Sequence, residues 1–206
     1  MSSKRHSILP AIDRSGPKPP VNFSSSLTIS DDAILRGTHS ITMQSETVVH
    51  PRSKFESSMG SILIGRRCVI HERTHIGARP KDPKNTRPGG VVLGDYVVVE
   101  AVSVIEAGNT EIGEGTIVQV GSSIGCGAKI GKNCTISHMS VIAPGDVLPD
   151  FTTVYSNGLR RIDKRGVGER QKHRLVKQIA ASRQIKEDVF RASTQRGPEE
   201  GQRPGS

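Results

Sequence analysis

Large aromatic side chains are nearly missing from this sequence of 206 residues. It contains no Trp, two Tyr and four Phe, and hydrophobic residues make up only 33% of the chain. This composition argues against a wide globular core and favours a narrow core of aliphatic side chains. Cysteine is also scarce. Cys68, Cys126 and Cys134 are too few for a disulfide framework, which favours a reducing compartment.

Long hydrophobic runs are missing too. No stretch of about 18 apolar residues is present, so no membrane-spanning helix is predicted. The first 20 residues lack the apolar segment of a signal peptide. The net charge is +9, and much of it lies near the two ends of the chain. A basic chain can bind nucleic acid, but no recognition motif is present and aromatic residues for base stacking are scarce. We therefore expect solvated tails or docking onto an acidic protein surface, and no nucleic-acid binding.

The sequence does contain a period of six. Over residues 110–150 an aliphatic residue occupies every sixth position: Ile112, Val118, Ile124, Ile130, Ile136, Ile142 and Leu148. A period of six fits neither a helix nor a simple alternating strand. It is typical of a hexapeptide-repeat solenoid, an all-β parallel β-helix in which each hexad forms one flat side of a triangular coil.

The residues around each aliphatic position support this interpretation. The aliphatic side chain is expected to point into the coil and to stack on its equivalents above and below. Two positions earlier the residue is small or short, as at Thr116, Ser122 and Cys134, which suits a crowded corner. Cys134 is therefore interpreted as structural. Gly113 and Gly125 follow the aliphatic residue, where a sharp turn with positive φ is expected.

The same repeat, less regular, predicts the bounds of the solenoid. A degenerate first coil begins at residue 27, and residues 53–60 break the count and are predicted to form a loop. A proline-rich insertion at 78–90 is predicted to leave the coil at a corner. After these interruptions the six-residue spacing resumes. We therefore expect a β-helix over residues 27–154.

The flanking segments lack the repeat. Residues 1–26 and 191–206 are predicted to be disordered tails, because they have few apolar anchors. Residues 155–166 are expected to form an irregular exit segment. A C-terminal α-helix is predicted over residues 167–190, with a narrow apolar stripe that includes Leu175 and Ile179. So narrow a stripe indicates that the helix packs against its own solenoid or against a partner.

Two groups of enzymes share the hexapeptide repeat. Acyltransferases of this architecture use a general-base histidine, and the carbonic-anhydrase-like group holds a metal with three histidines from two protomers. This chain resembles the second group at one ligand position, His71, whereas the other two positions fall on Ala101 and Glu106. A catalytic zinc site needs three protein ligands, and alanine provides none. We therefore predict no catalytic, cofactor-binding or metal-binding residues and no cofactor.

The remaining histidines offer little support for catalysis. His71 and His75 are four residues apart, but in a flat-sided coil they should point in different directions and face the surface or a loop. His50 and His138 are isolated. No partner carboxylate for catalysis is identified for any of the seven histidines, although the sequence alone leaves a general base for acyl transfer open.

The order of segments resembles the dynactin subunit 6 family over about residues 28–190. The resemblance is carried by ETVVHP at 46–51, IGRRCVIHE at 64–72, the proline-rich insertion, the Glu100-Ala101 hexad and the exit VLPDFTTVYSNGLRRI at 147–162. It implies a left-handed β-helix. Handedness does not follow from the period, and a left-handed coil runs against the usual crossover rule.

The resemblance also implies a function. The chain would be a non-catalytic structural subunit of dynactin in the cytoplasm and cytoskeleton. Its partners would be the companion β-helix subunit and the actin-related protein of the pointed end, and the complex supports the binding of dynein to cargo adaptors in microtubule-based transport. The alternative is a homotrimeric hexapeptide-repeat enzyme of the carbonic-anhydrase-like or acyltransferase type. Metal content and mass in solution would separate the two hypotheses.

Overall fold

The computed structural model describes residues 17–81 and 88–163, and residues 172, 173, 175–181 and 184 of the C-terminal segment. This part of the chain forms a parallel β-solenoid of about six turns with one short helix. The prediction of a hexapeptide-repeat β-helix is thus confirmed. The described residues contain 21 strands, numbered β1 to β21 in chain order, which make up three sheets.

Each of the first six coils contributes one strand to each sheet. Sheet A consists of β1 (Val21–Phe23), β4 (Ile41–Met43), β7 (Ile62–Ile64), β10 (Val91–Leu93), β13 (Thr110–Ile112), β16 (Lys129–Ile130) and β19 (Val147–Leu148). Sheet B consists of β2 (Thr28–Ile29), β5 (Val48–Val49), β8 (Val69–Ile70), β11 (Val98–Val99), β14 (Ile117–Val118), β17 (Thr135–Ile136), β20 (Thr152–Val154) and β21 (Arg160–Ile162). Sheet C consists of β3 (Ile34–Gly37), β6 (Lys54–Ser57), β9 (His75–Ala78), β12 (Val104–Glu106), β15 (Ser123–Ile124) and β18 (Val141–Ile142). Strands β19 and β20 begin a further coil, and β21 is added antiparallel at the edge of sheet B.

The core is a stack of the aliphatic residues that define the period. Ile112 pairs in register with Ile130, and Ile130 pairs with Leu148 in the next coil. All seven aliphatic residues over 110–150 are at most 4% exposed. Their stacking accounts for the strict spacing, because a shift of one residue would turn each of them to the solvent face.

The small residues occupy buried corner positions, as predicted from the sequence. Thr116 and Ser122 are at most 1% exposed. The Thr116 hydroxyl donates to the Gly131 carbonyl at 2.9 Å, and the Ser122 hydroxyl donates to the Ser137 carbonyl at 2.8 Å. A short hydroxyl side chain therefore fills the corner and satisfies a carbonyl of the following coil at once.

The expectation of positive φ at Gly113 and Gly125 is wrong. Positive φ occurs two residues later, at Gly115 (69°) and Gly127 (70°). Gly113 is required for a different reason. A Cβ atom there would lie 2.6 Å from the carbonyl carbon of Gly131 in the next coil, which is too close for any side chain.

The predicted loop at residues 53–60 is wrong over its first half. Lys54–Ser57 form β6, and Phe55 is fully buried in the core. Phe55 lies six residues after Val49, so the period continues through this coil with an aromatic residue. The extra residues lie beyond Ser57, at the corner between sheets C and A.

The predicted N-terminal tail and exit segment also need correction. Within residues 1–26, Val21–Phe23 form β1 and pair in parallel with β4. All three residues are exposed, so backbone pairing holds the strand and no apolar pattern marks it. Within residues 155–166, Arg160–Ile162 form β21, which pairs antiparallel with β20. Residues 1–16 and 164–166 lie outside the described residues.

Other predicted boundaries are tested only in part. Of the insertion at 78–90, residues 82–87 lie outside the described residues, and Ala78 belongs to β9. The described helical residues fall within the predicted helix at 167–190. The tail at 191–206 lies outside the described residues. Among the residues that are described, no helix is long and apolar enough to span a bilayer.

Candidate functional site

A column of polar side chains runs along the corner between sheets B and C. The residue that directly follows each of four consecutive sheet-B strands belongs to it: His50, His71, Glu100 and Gln119. The strands β5, β8, β11 and β14 pair in register, so these four residues occupy the same corner in successive coils. We call them the polar corner column.

The two histidines of the column are in direct contact. Their ring centroids are 4.9 Å apart and their planes are 3° from parallel. The Nε2 atom of His50 is buried and has no hydrogen-bond partner in the described part of the chain. Burial lowers the pKa of His71, and the neighbouring His50 lowers it further, although Glu100 and Glu72 act in the opposite direction. The net effect favours the neutral form of the His71 imidazole.

The side chains of the other two members of the column accept hydrogen bonds from backbone amides. Glu100 Oε2 accepts a hydrogen bond from the Val120 amide at 3.1 Å, and Gln119 Oε1 accepts one from the His138 amide at 3.1 Å. Each side chain thus satisfies the turn of the next coil. This structural role accounts for an acceptor side chain at these two positions.

The C-terminal helix lies beside the column and packs against sheet B. Leu175 and Ile179, 5% and 4% exposed, contact Val48 and Val69. At the first described helical residue, Lys172 Nζ lies 2.7 Å from Glu114 Oε1 and 5.5 Å from the centre of the Tyr96 ring. Of the two alternatives derived from the sequence, packing against the chain's own solenoid is therefore the one observed.

A groove of about 560 Å³ separates the helix from the corner. Its lining includes His71, Ala101, Val120, Leu175 and Gln178. Of the three sequence positions compared with metal ligands, His71 and Ala101 are thus brought together. The methyl group of Ala101 has no donor atom to offer beside the imidazole.

The third of these positions lies at another corner. Glu106 ends β12 and is 5% exposed. Its Oε2 atom accepts from the Cys126 amide at 3.1 Å, and its Oε1 atom accepts from the Lys81 amide at 3.3 Å. Both carboxylate oxygens of Glu106 are therefore engaged in hydrogen bonds with backbone amides. Within the described residues, no three His, Cys, Asp or Glu side chains converge as a metal site.

One histidine does have a carboxylate beside it, contrary to the expectation from the sequence. On sheet C, Glu56 Oε2 lies 3.2 Å from His75 Nε2 and 2.9 Å from Lys54 Nζ, and Arg79 Nε lies 3.4 Å from Oε1. Burial raises the pKa of Glu56, but Lys54 and His75 outweigh it, so the net shift is downward. Three basic groups share this carboxylate, which indicates a structural ion-pair cluster. The sequence missed it because β6 was predicted to be a loop.

The cysteines lie inside the solenoid and do not form disulfides. Cys68, Cys126 and Cys134 are free and buried. Burial raises the pKa of the Cys68 thiol to about 12 and also raises the pKa of Cys134. Thiols with such raised pKa values are poor nucleophiles at neutral pH, which agrees with the structural role predicted for Cys134.

Comparison with known proteins gives two kinds of likeness. A family model described as bacterial transferase hexapeptide (six repeats) matches residues 109–144. The crystal structure of a hexapeptide transferase family protein from Anaplasma phagocytophilum superposes with a TM-score of 0.68 over 82% of this chain and 98% of that one. The sequence identity is only 15%, so this likeness concerns the fold alone.

Curated relatives give a more specific likeness. Dynactin subunit 6 of Xenopus tropicalis is 26% identical over 59% of this chain, and the match spans 62% of that protein, which is less than two thirds of its length. Dynactin subunit 6 of Danio rerio is 24% identical over 74% of this chain and 79% of that protein. The protein of the same name from Nematostella vectensis is 25% identical over 65% of this chain and 72% of its own length. The resemblance predicted from the sequence is therefore confirmed: this hexapeptide-repeat chain is similar to dynactin subunit 6.

Proposed function

We propose that this chain is a non-catalytic structural and interaction subunit of a dynactin complex. The observation that carries the proposal is its similarity to dynactin subunit 6 of three animals, at 24–26% identity over 59–74% of the chain. The relatives bear the name of a subunit, so the function to be transferred is assembly into a complex.

The geometry of the corner supports a non-catalytic role. Ala101 lies where a ligand would have to face His71, and Glu106 is buried at another corner with both oxygens bound to backbone amides. A zinc site assembled from these three positions would need a donor at Ala101 and a rearranged β12. The polar side chains of this corner are better suited to holding the coils together than to reacting with a substrate.

The finer proposal concerns the place of the subunit in the complex. The chain belongs to the pointed-end assembly, contacts the companion β-helix subunit and the actin-related protein there, and acts in dynein–dynactin transport through cargo adaptors. Its site of action is the cytoplasm and the cytoskeleton. The role requires no cofactor, no nucleic acid and no insertion into a membrane.

Affinity purification of the tagged full chain from its own cells, followed by mass spectrometry, tests this proposal. Dynactin subunits, including actin-related proteins, are expected in amounts comparable to the tagged chain. Ile130→Asp is the matched control, because an unpaired charge at this buried position should unfold the solenoid and abolish the association.

The competing hypothesis is a homotrimeric hexapeptide-repeat enzyme, and the same preparation tests it. A native mass of three chains together with one zinc ion per chain, or turnover of an acyl donor, would contradict the proposal. A chain that carries no stoichiometric zinc and elutes with dynactin subunits would support it.

A further inference from the structure

Val102 is held in an unfavourable backbone conformation while its side chain faces solvent. Its φ is 61°, in the left-handed region, and the residue is 53% exposed. β-branched residues are strained there, whereas glycine and asparagine are tolerated. At the other corners the same hexad position holds Gly115, Gly127 and Asn133, but also unbranched bulky residues such as Tyr96 and Phe151. Val102 is the only β-branched residue with positive φ among those described. Neither backbone geometry nor burial accounts for a valine at this position.

Val102 belongs to a line of residues along the corner between sheets B and C. Successive coils place at this turn position Arg52, Arg73, Val102, Gly121 and Met139, all with φ between 54° and 69°. Backbone hydrogen bonds connect the turns: the Val102 amide donates to the Glu72 carbonyl at 3.2 Å, and the Met139 amide donates to the Val120 carbonyl at 2.9 Å. We call these five residues the corner ridge. With about 4.8 Å between coils, the ridge extends over roughly 19 Å.

The two halves of the corner ridge differ in chemistry. Arg52 and Arg73 form the N-terminal half, and both are exposed, without an ion pair to any residue that the structure describes. The C-terminal half is apolar: Val102 is 53% exposed and Met139 is 73% exposed, with the adjacent Val120 at 46%. Contiguous exposed apolar side chains next to arginines are typical of protein interfaces.

Gly121 gives the apolar half a shape. It lies between Val102 and Met139 along the ridge, and only Met139 Cγ, at 3.5 Å, approaches the place where its side chain would be. Gly121 thus presents no side chain between the two apolar side chains, and the Met139 side chain fills that place only in part. A single apolar side chain of another protein can pack at this place and lose its contact with water.

We propose that the corner ridge is a docking site for a protein partner. The partner inserts an apolar side chain between Val102 and Met139, and it places carboxylates opposite Arg52 and Arg73. Charge complementarity selects an acidic partner over a second copy of this chain, whose net charge is +9. This inference rests on the proposed function, so the partner is another subunit of the same complex. The strained backbone at Val102 is tolerated because the docking site needs an apolar side chain at this exposed position.

The test uses Val102→Asn in the full chain, in the same affinity purification. Asparagine fits the left-handed backbone better than valine, so the melting temperature should stay the same or rise. The dynactin subunits recovered with the chain should fall at least about tenfold, because the apolar contact is lost. Val147→Asn is the control: Val147 is 64% exposed on sheet A, and this substitution should leave recovery unchanged.

A second variant tests the charged half. Arg52→Asp combined with Arg73→Asp should also lower recovery of the subunits, and the loss should be greatest at low ionic strength, where charge interactions are strongest. Recovery equal to wild type for both variants would overturn the docking site while leaving the proposed function intact.

Three other outcomes would also decide against the inference. If the wild-type chain recovers no dynactin subunits, the proposed function fails and the inference fails with it. If Val102→Asn lowers the melting temperature, the valine is there to stabilise the folded chain and not to contact a partner. If light scattering shows a wild-type oligomer that Val102→Asn dissociates, the occupant of the ridge is a second copy and the proposed partner is wrong.

Discussion

The imidazole rings of His50 and His71 lie parallel on adjacent coils, with their centroids 4.9 Å apart. Burial and this neighbour lower the pKa of His71 below the ordinary value of 6.5. The unfolded chain therefore binds more protons than the folded chain once the pH falls below about 6.5. The contribution of His71 to stability is complete above that pH, and it is lost as the pH falls from there towards the folded-state pKa.

The first prediction concerns this titration. His50→Gln removes the second imidazole, so the pKa of His71 should rise and less stability should be lost between pH 7.5 and 5.5. The pKa is measured by NMR from the ring proton of His71, and stability is measured by thermal melts at the two pH values. His138→Gln is the control, because His138 is exposed and should leave both quantities unchanged. A wild-type His71 that titrates at or above 6.5 contradicts the prediction.

The second prediction concerns the aromatic residue in the core. Phe55→Ala should lower the free energy of unfolding by about 3–5 kcal/mol, because it leaves a cavity in a one-residue-wide stack. Urea unfolding followed by circular dichroism measures the change. Tyr155→Ala is the control: Tyr155 is 42% exposed, and the loss there should be within about 1 kcal/mol. Similar losses for the two variants would mean that Phe55 does not fill the core.

The third prediction separates the two roles of glycine in the repeat. Gly113→Ala places a Cβ 2.6 Å from the backbone of Gly131 and should cost about 3 kcal/mol, since neither backbone can move without breaking the pairing of coils. Gly145→Asn tests the other role. Gly145 has a φ of 71° and no atom within 4 Å of its Cβ position, so asparagine should cost less than about 1 kcal/mol. Chemical denaturation measures the loss of unfolding free energy for each variant. A larger loss for Gly145→Asn than for Gly113→Ala would contradict the assignment of the two roles.

The fourth prediction concerns the docking of the C-terminal helix. Leu175→Ala should weaken the contact with Val48 and Val69 by about 2–3 kcal/mol and should release the helix without unfolding the coils. Hydrogen exchange should speed up at the helix amides and remain slow in the strands of the solenoid. Val176→Ala is the matched control, because Val176 is 39% exposed and does not belong to the cluster that Leu175 forms with Val48 and Val69. A cooperative loss of all protection in Leu175→Ala would show that the helix is part of the same folding unit.

The parts of the fold that the sequence predicted are those in which a residue type maps directly onto one position of the coil. Ile112 and Ile130 indicate inward positions, because aliphatic side chains fill the interior of the coil. Thr116 indicates a corner position, because a larger side chain would not fit there. Phe55 was missed because it fills the same position with an aromatic ring. Strand β1 was missed because backbone hydrogen bonds hold it and its side chains are exposed.

The candidate site was less predictable. The sequence comparison assigned His71 and Ala101 to two of three ligand positions of carbonic-anhydrase-like enzymes, and the structure brings them together in one groove. The carboxylate beside His75 was not foreseen. Glu56 reaches this histidine from the coil before it, and the pairing of β6 with β9 places the two side chains next to each other.

The sequence by itself determined a solenoid with a thin aliphatic core, because every flat side of the coil needs an inward residue at the same interval. Only the tertiary structure decided which corner residues become neighbours. The coils differ in length, and the extra residues all enter at the corner between sheets C and A, as at residues 58–61 and 107–109. Contacts such as that of His50 with His71, and the line from Arg52 to Met139, depend on the register between coils. Hydrogen bonds between strands set that register, and no local pattern in the sequence encodes it.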